Sequence, residues 1–368
     1  MPAKSILLLT AGFGEGHNAA ARNLQEAIAS ATPETPCAVN DVLRDAYGRL
    51  TRIVENGYIT IINHFPSLWK AAFKILDRTP LVEQHISWYG AAARCLERLI
   101  AERQPSVIVS TYPGCNHLLD YLFRKRLKRP FTLVTIVTDS LTINSVWHRA
   151  HSDFFLVAND LTAEVLAKAG VPVQKIRIFG FPVPRIFASF TGIHAVPPAG
   201  GRWRVLYVVN SRRDLAPEIT RRLLALEQVS LTVTVGRDHG LARQLTILAT
   251  QDRRKLDIRG WTPEMPQLMA ESHLLISKAG GATVQETLAA GTPMIITQVV
   301  PGQEEGNARL IIDKEAGALA TTPLEIFATT QRAFADGAQE WLRWQRAAAS
   351  LSRPNAADET ASFVLSLA

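Results

Sequence analysis

Short apolar segments alternate with amphipathic stretches along this chain, in two successive series. The amphipathic stretches, such as 19–30 and 219–229, carry apolar residues at three- and four-residue spacing. The apolar segments predict these strands: Ile6–Leu9, Val107–Ser110, Leu133–Val137, Phe154–Val157, Val205–Val209, Leu231–Val235, Leu274–Ser277 and Met294–Thr297. Because strands that alternate with helices form parallel sheets, the sequence predicts an α/β chain.

A segment rich in proline and glycine, 191–202, separates the two series and has the composition of an interdomain linker. A chain of 368 residues also exceeds the usual size of one core. We therefore predict two domains, 1–190 and 203–368, with an irregular helical segment at about 54–100 in the first. A last helix is predicted at 356–367, and it can pack back on the first domain.

Two segments could meet an anionic or membrane surface. The net charge is +7, of which +5 lies on residues 1–184, and the cluster 124–129 supplies much of the excess. This cluster is either a solvated helix end or a contact for an anionic surface. The segment 64–76 has aromatic and aliphatic residues on one side and two lysines on the other. It fits a helix in a membrane interface, or an ordinary helix packed on a sheet or a partner.

The cysteines and the apolar runs indicate the cellular compartment of the protein. Cys37, Cys95 and Cys115 form no CxxC pair, so neither a zinc knuckle nor a disulfide framework is suggested. The apolar runs reach about seven residues, whereas a membrane span needs about twenty, and the first run is too short for a signal-peptide core. We therefore expect a cytoplasmic protein without membrane spans.

The first motif that could carry chemistry is the glycine-rich turn 11-AGFGEGHNAAARNL-24, which follows a strand and opens a helix. Gly14, Glu15 and Gly16 place backbone N–H groups at a helix N-terminus, which suits a phosphate or a sugar. The spacing is not that of the dinucleotide fingerprint. His17 is expected at the carboxyl end of the sheet, where such folds bind ligands. It is a candidate general base or, alternatively, a structural hydrogen-bonding residue.

The second motif, 277-SKAGGATVQETLAAGTPMIITQVVPGQEEGN-307, offers groups for a nucleotide sugar. After a strand, a turn and the start of a helix provide N–H groups suited to a diphosphate. The residues of this turn are Gly280, Gly281, Ala282 and Thr283. Glu286, one turn further, can accept both hydroxyls of a ribose. Beyond the next strand, Gln303, Glu304 and Asn307 suit the hydroxyls of a sugar, and the alternative for this loop is a solvated polar segment.

These motifs resemble those of the monogalactosyldiacylglycerol synthases and the processive diacylglycerol glucosyltransferases, relatives of the peptidoglycan N-acetylglucosaminyltransferase. KAGGATVQETLAAGTPMI and PGQEEGN are similar to the C-terminal signature of this group, and GFGEGHNAAA is similar to its opening motif. Two further matches are 137-VTDSLTINSVW-147 and the segment 259–281. All four follow in the right order over almost the whole chain.

The resemblance implies a GT-B fold, in which two Rossmann-like domains face each other across a cleft, acceptor domain first and donor domain second. It implies that His17 deprotonates the acceptor hydroxyl and that Asp139, in the cleft, is a second catalytic candidate. The second motif would hold the diphosphate, ribose and hexose as described. Trp261, Thr262 and Met265 would border the uracil.

The resemblance also implies an inverting displacement that gives a β-glycoside. Helix N–H groups can stabilise the leaving UDP, and the chain has no aspartate-x-aspartate motif, so we expect neither a metal nor another cofactor. The expected partners are a UDP-sugar, a lipid acceptor such as diacylglycerol and an anionic membrane surface, with no nucleic acid. The expected location is the inner face of the cell membrane, where the protein would be peripheral.

One segment departs from the family pattern. The family has a glycine-rich loop after the first strand of the second domain, whereas this chain has 210-NSRRDLAP-217. Arg212 and Arg213 can replace backbone contacts to a phosphate or the acceptor, or else the loop has lost a contact. Two alternatives to the lipid glycosyltransferase stay open, and the atypical loop motivates the second of them. They are a UDP-sugar epimerase of the same architecture and a degenerate, non-catalytic protein that binds a UDP-sugar.

Overall fold

The computed structural model of the chain describes residues 5–125, 128–190, 195–198, 200–249 and 256–368. It divides into two compact units. The first comprises Met1–Arg185, Val300–Gly306 and Asn355–Ala368, and the second comprises Ile186–Val299 and Asn307–Pro354. Residues 191–194 and 199 of the predicted linker, and residues 126–127 of the basic cluster, lie outside the described residues. The sequence-based domain boundaries stay a prediction.

Each unit is built on a parallel sheet of six strands. In the first unit the strands are β1 (Ile6–Thr10), β2 (Cys37–Asp41), β3 (Val107–Ser110), β4 (Thr132–Ile136), β5 (Phe154–Val157) and β6 (Ile176–Ile178). In the second they are β7 (Trp203–Val208), β8 (Val229–Thr234), β9 (Leu256–Arg259), β10 (Leu274–Ser277), β11 (Met294–Ile296) and β12 (Gly317–Leu319). All eight strands predicted from the sequence are present within two residues of their predicted ends.

Helices cover both sheets. Those of the first unit are α1 (Glu15–Ala31), α2 (Val42–Tyr47), α3 (Arg49–His64), α4 (Pro66–Arg78), α5 (Leu81–His85), α6 (Gly90–Arg103), α7 (Pro113–Phe123), α8 (Val146–Arg149) and α9 (Asp160–Lys168). Then follow α10 (Ala216–Leu224), α11 (His239–Ala249), α12 (Met265–Glu271), α13 (Gly281–Ala289), α14 (Glu305–Asp313), α15 (Pro323–Phe334) and α16 (Gln339–Leu351), and finally α17 (Ala356–Leu367).

The first sheet has the order β2-β1-β3-β4-β5-β6, so the strand order reverses beside β1. Strands β1 and β3 are buried along their whole length, whereas the edge strand β2 is only half-buried. Burial on both faces explains why the central strands are runs of leucine, isoleucine and valine. Loops at the carboxyl ends of β1, β3 and β4 therefore meet on one side of the sheet, as expected for a ligand site in this type of fold.

The last helix, α17, belongs to the first unit. Its Ala357, Ala361 and Val364 pack in the same apolar cluster as Leu24 of α1. At its beginning, Asp358 forms an ion pair with Arg185 at 2.6 Å. The expectation that the last helix packs back on the first domain is confirmed.

The second sheet has the order β12-β11-β10-β7-β8-β9. Its core includes an aromatic cluster in which Trp203 stacks on Phe334 with ring centroids 4.2 Å apart. Trp341 of α16 donates its indole N–H to the backbone carbonyl of His273 at 2.6 Å. A capping box of Thr322 and Glu325 begins α15, which satisfies backbone groups at the helix start.

The helical segment between β2 and β3 differs from the prediction in one respect. The predicted helix 64–76 begins at Pro66, because α3 ends at His64 and proline is favoured at the first helical position. No residue of α4 is fully buried, whereas Trp69 packs edge-on against Tyr58 of α3 with ring centroids 5.0 Å apart. Both alternatives for this helix stay predictions. Over the described part of the chain, no helix is both long enough and apolar enough to cross a bilayer.

Candidate active site

His17 lies in the first turn of α1, where the chain leaves the central strand β1. Gly14 precedes the helix with a φ of 124°, which is accessible to glycine and strained for other residues. The imidazole is 8% exposed. Its Nδ1 atom lies 2.7 Å from the carbonyl oxygen of Thr111 and 2.9 Å from the hydroxyl oxygen of Thr138. Loops after β1, β3 and β4 thus converge on one ring.

The contact with Thr111 selects the tautomer of His17. A carbonyl oxygen only accepts hydrogen bonds, so the proton of the neutral ring is on Nδ1 and Nε2 keeps its lone pair. Burial lowers the pKa of His17 to about 4, against a smaller opposing effect of the Thr111 hydrogen bond. The ring is therefore neutral at physiological pH, with Nε2 able to accept a proton.

Asp139 follows β4 and is held by a tryptophan. Its Oδ2 atom accepts the indole N–H of Trp147 at 2.7 Å. Burial raises the pKa of Asp139 to about 6; the Trp147 hydrogen bond lowers it and the nearby Glu304 carboxylate raises it. The Trp147 ring also lies 5.9 Å from the ring of His17, measured between centroids. One side chain thus contacts both sequence-predicted catalytic candidates.

The loop 300–306 packs in the first unit, although it follows a strand of the second sheet. The side chain of Glu304 accepts the backbone N–H of Val300 at 3.0 Å. Gly306 donates its N–H to the Thr142 hydroxyl at 2.8 Å, and a β-carbon there would collide with the carbonyl oxygen of Ser140. The first unit therefore contains Gln303 and Glu304 as well as His17 and Asp139.

An apolar cavity of about 670 Å³ lies in the same unit. The rings of Phe13 and Tyr112 are stacked 5.8 Å apart at its wall. Tyr112 also contacts the His17 ring edge-on at 5.3 Å, so the cavity reaches the neighbourhood of the candidate base. Its other lining residues are Leu43, Tyr47, Leu50, Thr51, Val54, Leu76, Leu81, Val82, His85, Ile86, Trp88, Tyr89, Gly114, Cys115 and Leu118.

In the second unit, the predicted diphosphate turn has the geometry of a helix N-terminus. Gly280 is extended and precedes α13, and no side chain caps the helix. The first N–H groups of a helix have no intrahelical acceptor, and here they belong to Gly281, Ala282 and Thr283. Glu286 lies on the same helix and is partly buried. The turn can bind an anion through backbone groups alone.

The other predicted donor residues lie in three places in the second unit. Trp261 is 67% exposed, with the Arg237 guanidinium 6.0 Å from its ring centroid. Thr262 accepts the backbone N–H of Glu264 at 3.1 Å, and Met265 begins α12. Asn307 is buried and donates to the carbonyl of Ala279 at 3.1 Å, which ties it to the diphosphate turn.

The two arginines of the atypical loop make contacts within the protein. Arg212 has a φ of 45° and donates to the Thr321 carbonyl at 2.7 Å. Arg213 pairs with Asp238 at 3.3 Å. Their proposed contacts to phosphate or acceptor stay a prediction.

At the first motif, Glu15 is exposed and pairs with Arg22 at 3.1 Å. Among the described residues, no cluster of three or more His, Cys, Asp or Glu side chains could hold a metal ion.

Comparison with known proteins gives matches in both halves. Residues 17–183 match the family model of monogalactosyldiacylglycerol (MGDG) synthase. Residues 213–321 match the glycosyltransferase family 28 C-terminal domain. Monogalactosyldiacylglycerol synthase 3 of Arabidopsis thaliana is 24% identical over 372 residues, which cover 96% of this chain and 79% of the relative. The processive diacylglycerol beta-glucosyltransferase of Bacillus subtilis is 23% identical over 339 residues, covering 90% of this chain and 87% of the relative.

A solved structure with the same architecture is that of Os79 from O. sativa in complex with U2F and trichothecene. It superposes with a TM-score of 0.65 at 11% sequence identity, covering 99% of this chain and 100% of that one. The protein therefore has the two-domain architecture of the GT-B glycosyltransferases. More narrowly, it is a glycosyltransferase whose two halves match these two family models, with relatives among the diacylglycerol glycosyltransferases. The resemblance predicted from the sequence motifs is confirmed.

Proposed function

We propose that this protein transfers a hexose from a UDP-sugar to a lipid acceptor, diacylglycerol or a glycolipid, with inversion at the anomeric carbon to a β-glycoside. The observation that carries the proposal is the pairing of an unprotonated Nε2 on His17 with an apolar cavity nearby. A base placed beside an apolar cavity suits an acceptor with one hydroxyl and long hydrocarbon chains. The names of the relatives support the same acceptor.

In the proposed reaction, Nε2 of His17 takes the proton of the acceptor hydroxyl as its oxygen attacks the anomeric carbon. The bond from that carbon to the diphosphate breaks, and UDP leaves with the electron pair. The imidazolium that forms keeps its Nδ1–H on the Thr111 carbonyl, which stabilises the positive charge. Asp139, oriented by Trp147, is proposed as a second catalytic group that favours this charge.

The UDP-sugar is proposed to bind through the sequence motifs of the second half of the chain. The N–H groups at the start of α13 would hold the diphosphate and stabilise its growing charge without a metal. Glu286 would accept the ribose hydroxyls, and Gln303, Glu304 and Asn307 would contact the hexose. The chain around Trp261, Thr262 and Met265 would border the uracil.

The lipid acceptor requires access to a membrane, and we propose that α3–α5 and the following turn provide it. This part of the first unit exposes large apolar side chains, including Leu50 at 62%, Leu68 at 60% and Trp88 at 78%. Leu50 and Trp88 also line the apolar cavity. An exposed apolar surface that continues into a cavity is suited to drawing a lipid from a bilayer. The protein would then be peripheral on the inner face of the cell membrane.

The proposal is tested by incubating the purified protein with radiolabelled UDP-glucose, UDP-galactose or UDP-N-acetylglucosamine and diacylglycerol vesicles. Label in the organic phase is the expected result for at least one donor. A new UDP-sugar in the aqueous phase, with no labelled lipid, would instead establish the epimerase alternative. Binding of a UDP-sugar without any turnover would establish the degenerate one.

A further inference from the structure

A hydrogen bond joins α3 to the loop that carries the proposed sugar contacts. The hydroxyl of Tyr58 donates to Oε1 of Gln303 at 2.7 Å, across 245 residues of sequence. The Tyr58 ring lies between two others, edge-on to Phe13 at 5.6 Å and to Trp69 at 5.0 Å. Because its ring is held on two sides, the hydroxyl of Tyr58 has a defined position.

Two more contacts attach the loop 300–306 to α4. A β-carbon on Gly302, which has a φ of 81°, would lie 2.8 Å from the Phe73 ring, so this residue must be small. Glu305 pairs with Lys70 at 3.3 Å. The loop 300–306 is therefore attached to the α3–α4 pair at three positions, 302, 303 and 305, and only the contact at Gln303 involves a proposed sugar ligand.

We propose that Tyr58 is a positioning residue for recognition of the donor sugar, which acts by orienting the carboxamide of Gln303. The inference rests on the proposed function. The Tyr58 hydroxyl engages Oε1, so the amide nitrogen of Gln303 points to the other side of the carboxamide group. Gln303 then presents N–H donors in a fixed direction. It would accordingly select a sugar with a hydroxyl oxygen at the matching position.

Tyr58 is the hydrogen-bond donor in its contact with Gln303. Burial raises the pKa of Tyr58 far above its usual range, so the phenol keeps its proton and donates at any physiological pH. Phenylalanine in its place would keep both ring contacts and remove only the hydrogen bond. Without that bond the carboxamide of Gln303 can rotate and present its oxygen in place of its nitrogen.

The test compares wild type, Tyr58→Phe, Gln303→Ala and the double variant, with steady-state rates for UDP-glucose and UDP-galactose on diacylglycerol vesicles. For the better donor, Tyr58→Phe is expected to raise KM about threefold to tenfold, the effect of losing one neutral hydrogen bond, with kcat within about twofold. Discrimination between the two donors should fall by a similar factor. In the Gln303→Ala background the same substitution should have no further effect.

Tyr121→Phe is the matched control, because it removes a phenol hydroxyl from α7, outside the proposed sites. Effects of Tyr58→Phe and Gln303→Ala that multiply independently in the double variant would overturn the proposal, as would an unchanged KM in an active Tyr58→Phe enzyme. Wild type that forms no glycolipid would be a failure of the proposed function instead. In that case the affinities of wild type and Tyr58→Phe for the UDP-sugar are compared by calorimetry. Equal affinities would contradict the proposed role of Tyr58.

Discussion

The Nδ1 atom of His17 lies 2.7 Å from the carbonyl oxygen of Thr111, and this contact directs the basic nitrogen of the ring away from the backbone. The two residues are 94 positions apart in sequence. They meet because the loops after β1 and β3, neighbours in the sheet, end on the same side. The fold thus fixes the tautomer that the proposed base requires.

We expect the loss of activity at low pH to come from protonation of Asp139. The pKa of His17 is about 4 and that of Asp139 is about 6, so from about pH 7 to pH 5 the aspartate gains a proton while His17 stays neutral. Because the proposed role of Asp139 needs its carboxylate, kcat/KM should fall as the pH drops through about 6. This fall in kcat/KM at low pH should disappear in Asp139→Asn. An identical fall in that variant would show that another group causes it.

The same substitution should stabilise the protein at neutral pH. The folded-state pKa of Asp139, about 6, is above its ordinary value of 3.8, so ionisation destabilises the folded state and the cost appears as the pH rises through 6. Asp139→Asn should raise the free energy of unfolding by up to about 3 kcal/mol at pH 7, with the gain vanishing near pH 4. Urea unfolding of both proteins at the two pH values measures it.

His17 has the opposite linkage, because its folded-state pKa is below its ordinary value. Its contribution to stability is lost as the pH falls from about 6.5 towards 4. Comparing wild type and Asp139→Asn at the same pH cancels this contribution. A pH-independent difference between them would show that folding does not raise the pKa of Asp139.

Membrane binding is expected to depend on Trp88. It is 78% exposed and lines the apolar cavity. Burial of a large apolar side chain contributes about 1.5–3 kcal/mol, so Trp88→Ser should weaken binding to anionic vesicles about tenfold or more in co-sedimentation. Ile247→Ser, at a 71% exposed position of α11 in the second unit, serves as the control and should bind as wild type does. Equal losses in both variants would remove the case for α3–α5 as the membrane surface.

The diphosphate site can be tested with a charge that favours the helix but repels the ligand. Glutamate near a helix N-terminus is stabilising, so Ala282→Glu in the first turn of α13 should leave the melting temperature unchanged or slightly raised. Its affinity for UDP should nevertheless fall about tenfold or more. Leu324→Glu puts the same charge at the second position of α15 and should not alter UDP affinity. Wild-type affinity in Ala282→Glu would exclude this helix end from the site.

The sequence predicted the centre of each sheet and missed its edges. The four strands absent from the prediction, β2, β6, β9 and β12, are the outer strands of the two sheets. Central strands are buried on both faces and form continuous apolar runs. Outer strands are short and partly exposed; β2, for instance, has no fully buried residue. Such segments are difficult to distinguish from loops by their composition.

The candidate site was predictable only where its residues adjoin a glycine turn or a family motif. His17, Asp139 and the α13 turn satisfy that condition. Thr111, Tyr58 and the cavity walls other than Phe13 do not, because they act through contacts between segments distant in sequence. The one available signal was the aromatic, amphipathic character of the segment after Val54, which predicted a surface but not a cavity.

A single-turnover measurement decides whether the protein moves a sugar from UDP to a lipid with His17 as the base. The enzyme is mixed with labelled UDP-sugar and diacylglycerol vesicles, and labelled glycolipid is followed for wild type, His17→Ala and the exposed-histidine control His151→Ala. Wild type and His151→Ala are expected to form glycolipid, and His17→Ala is expected to form it at a rate about 10²- to 10⁴-fold lower, with UDP affinity retained. Glycolipid formed by His17→Ala at the wild-type rate would exclude His17 as the base.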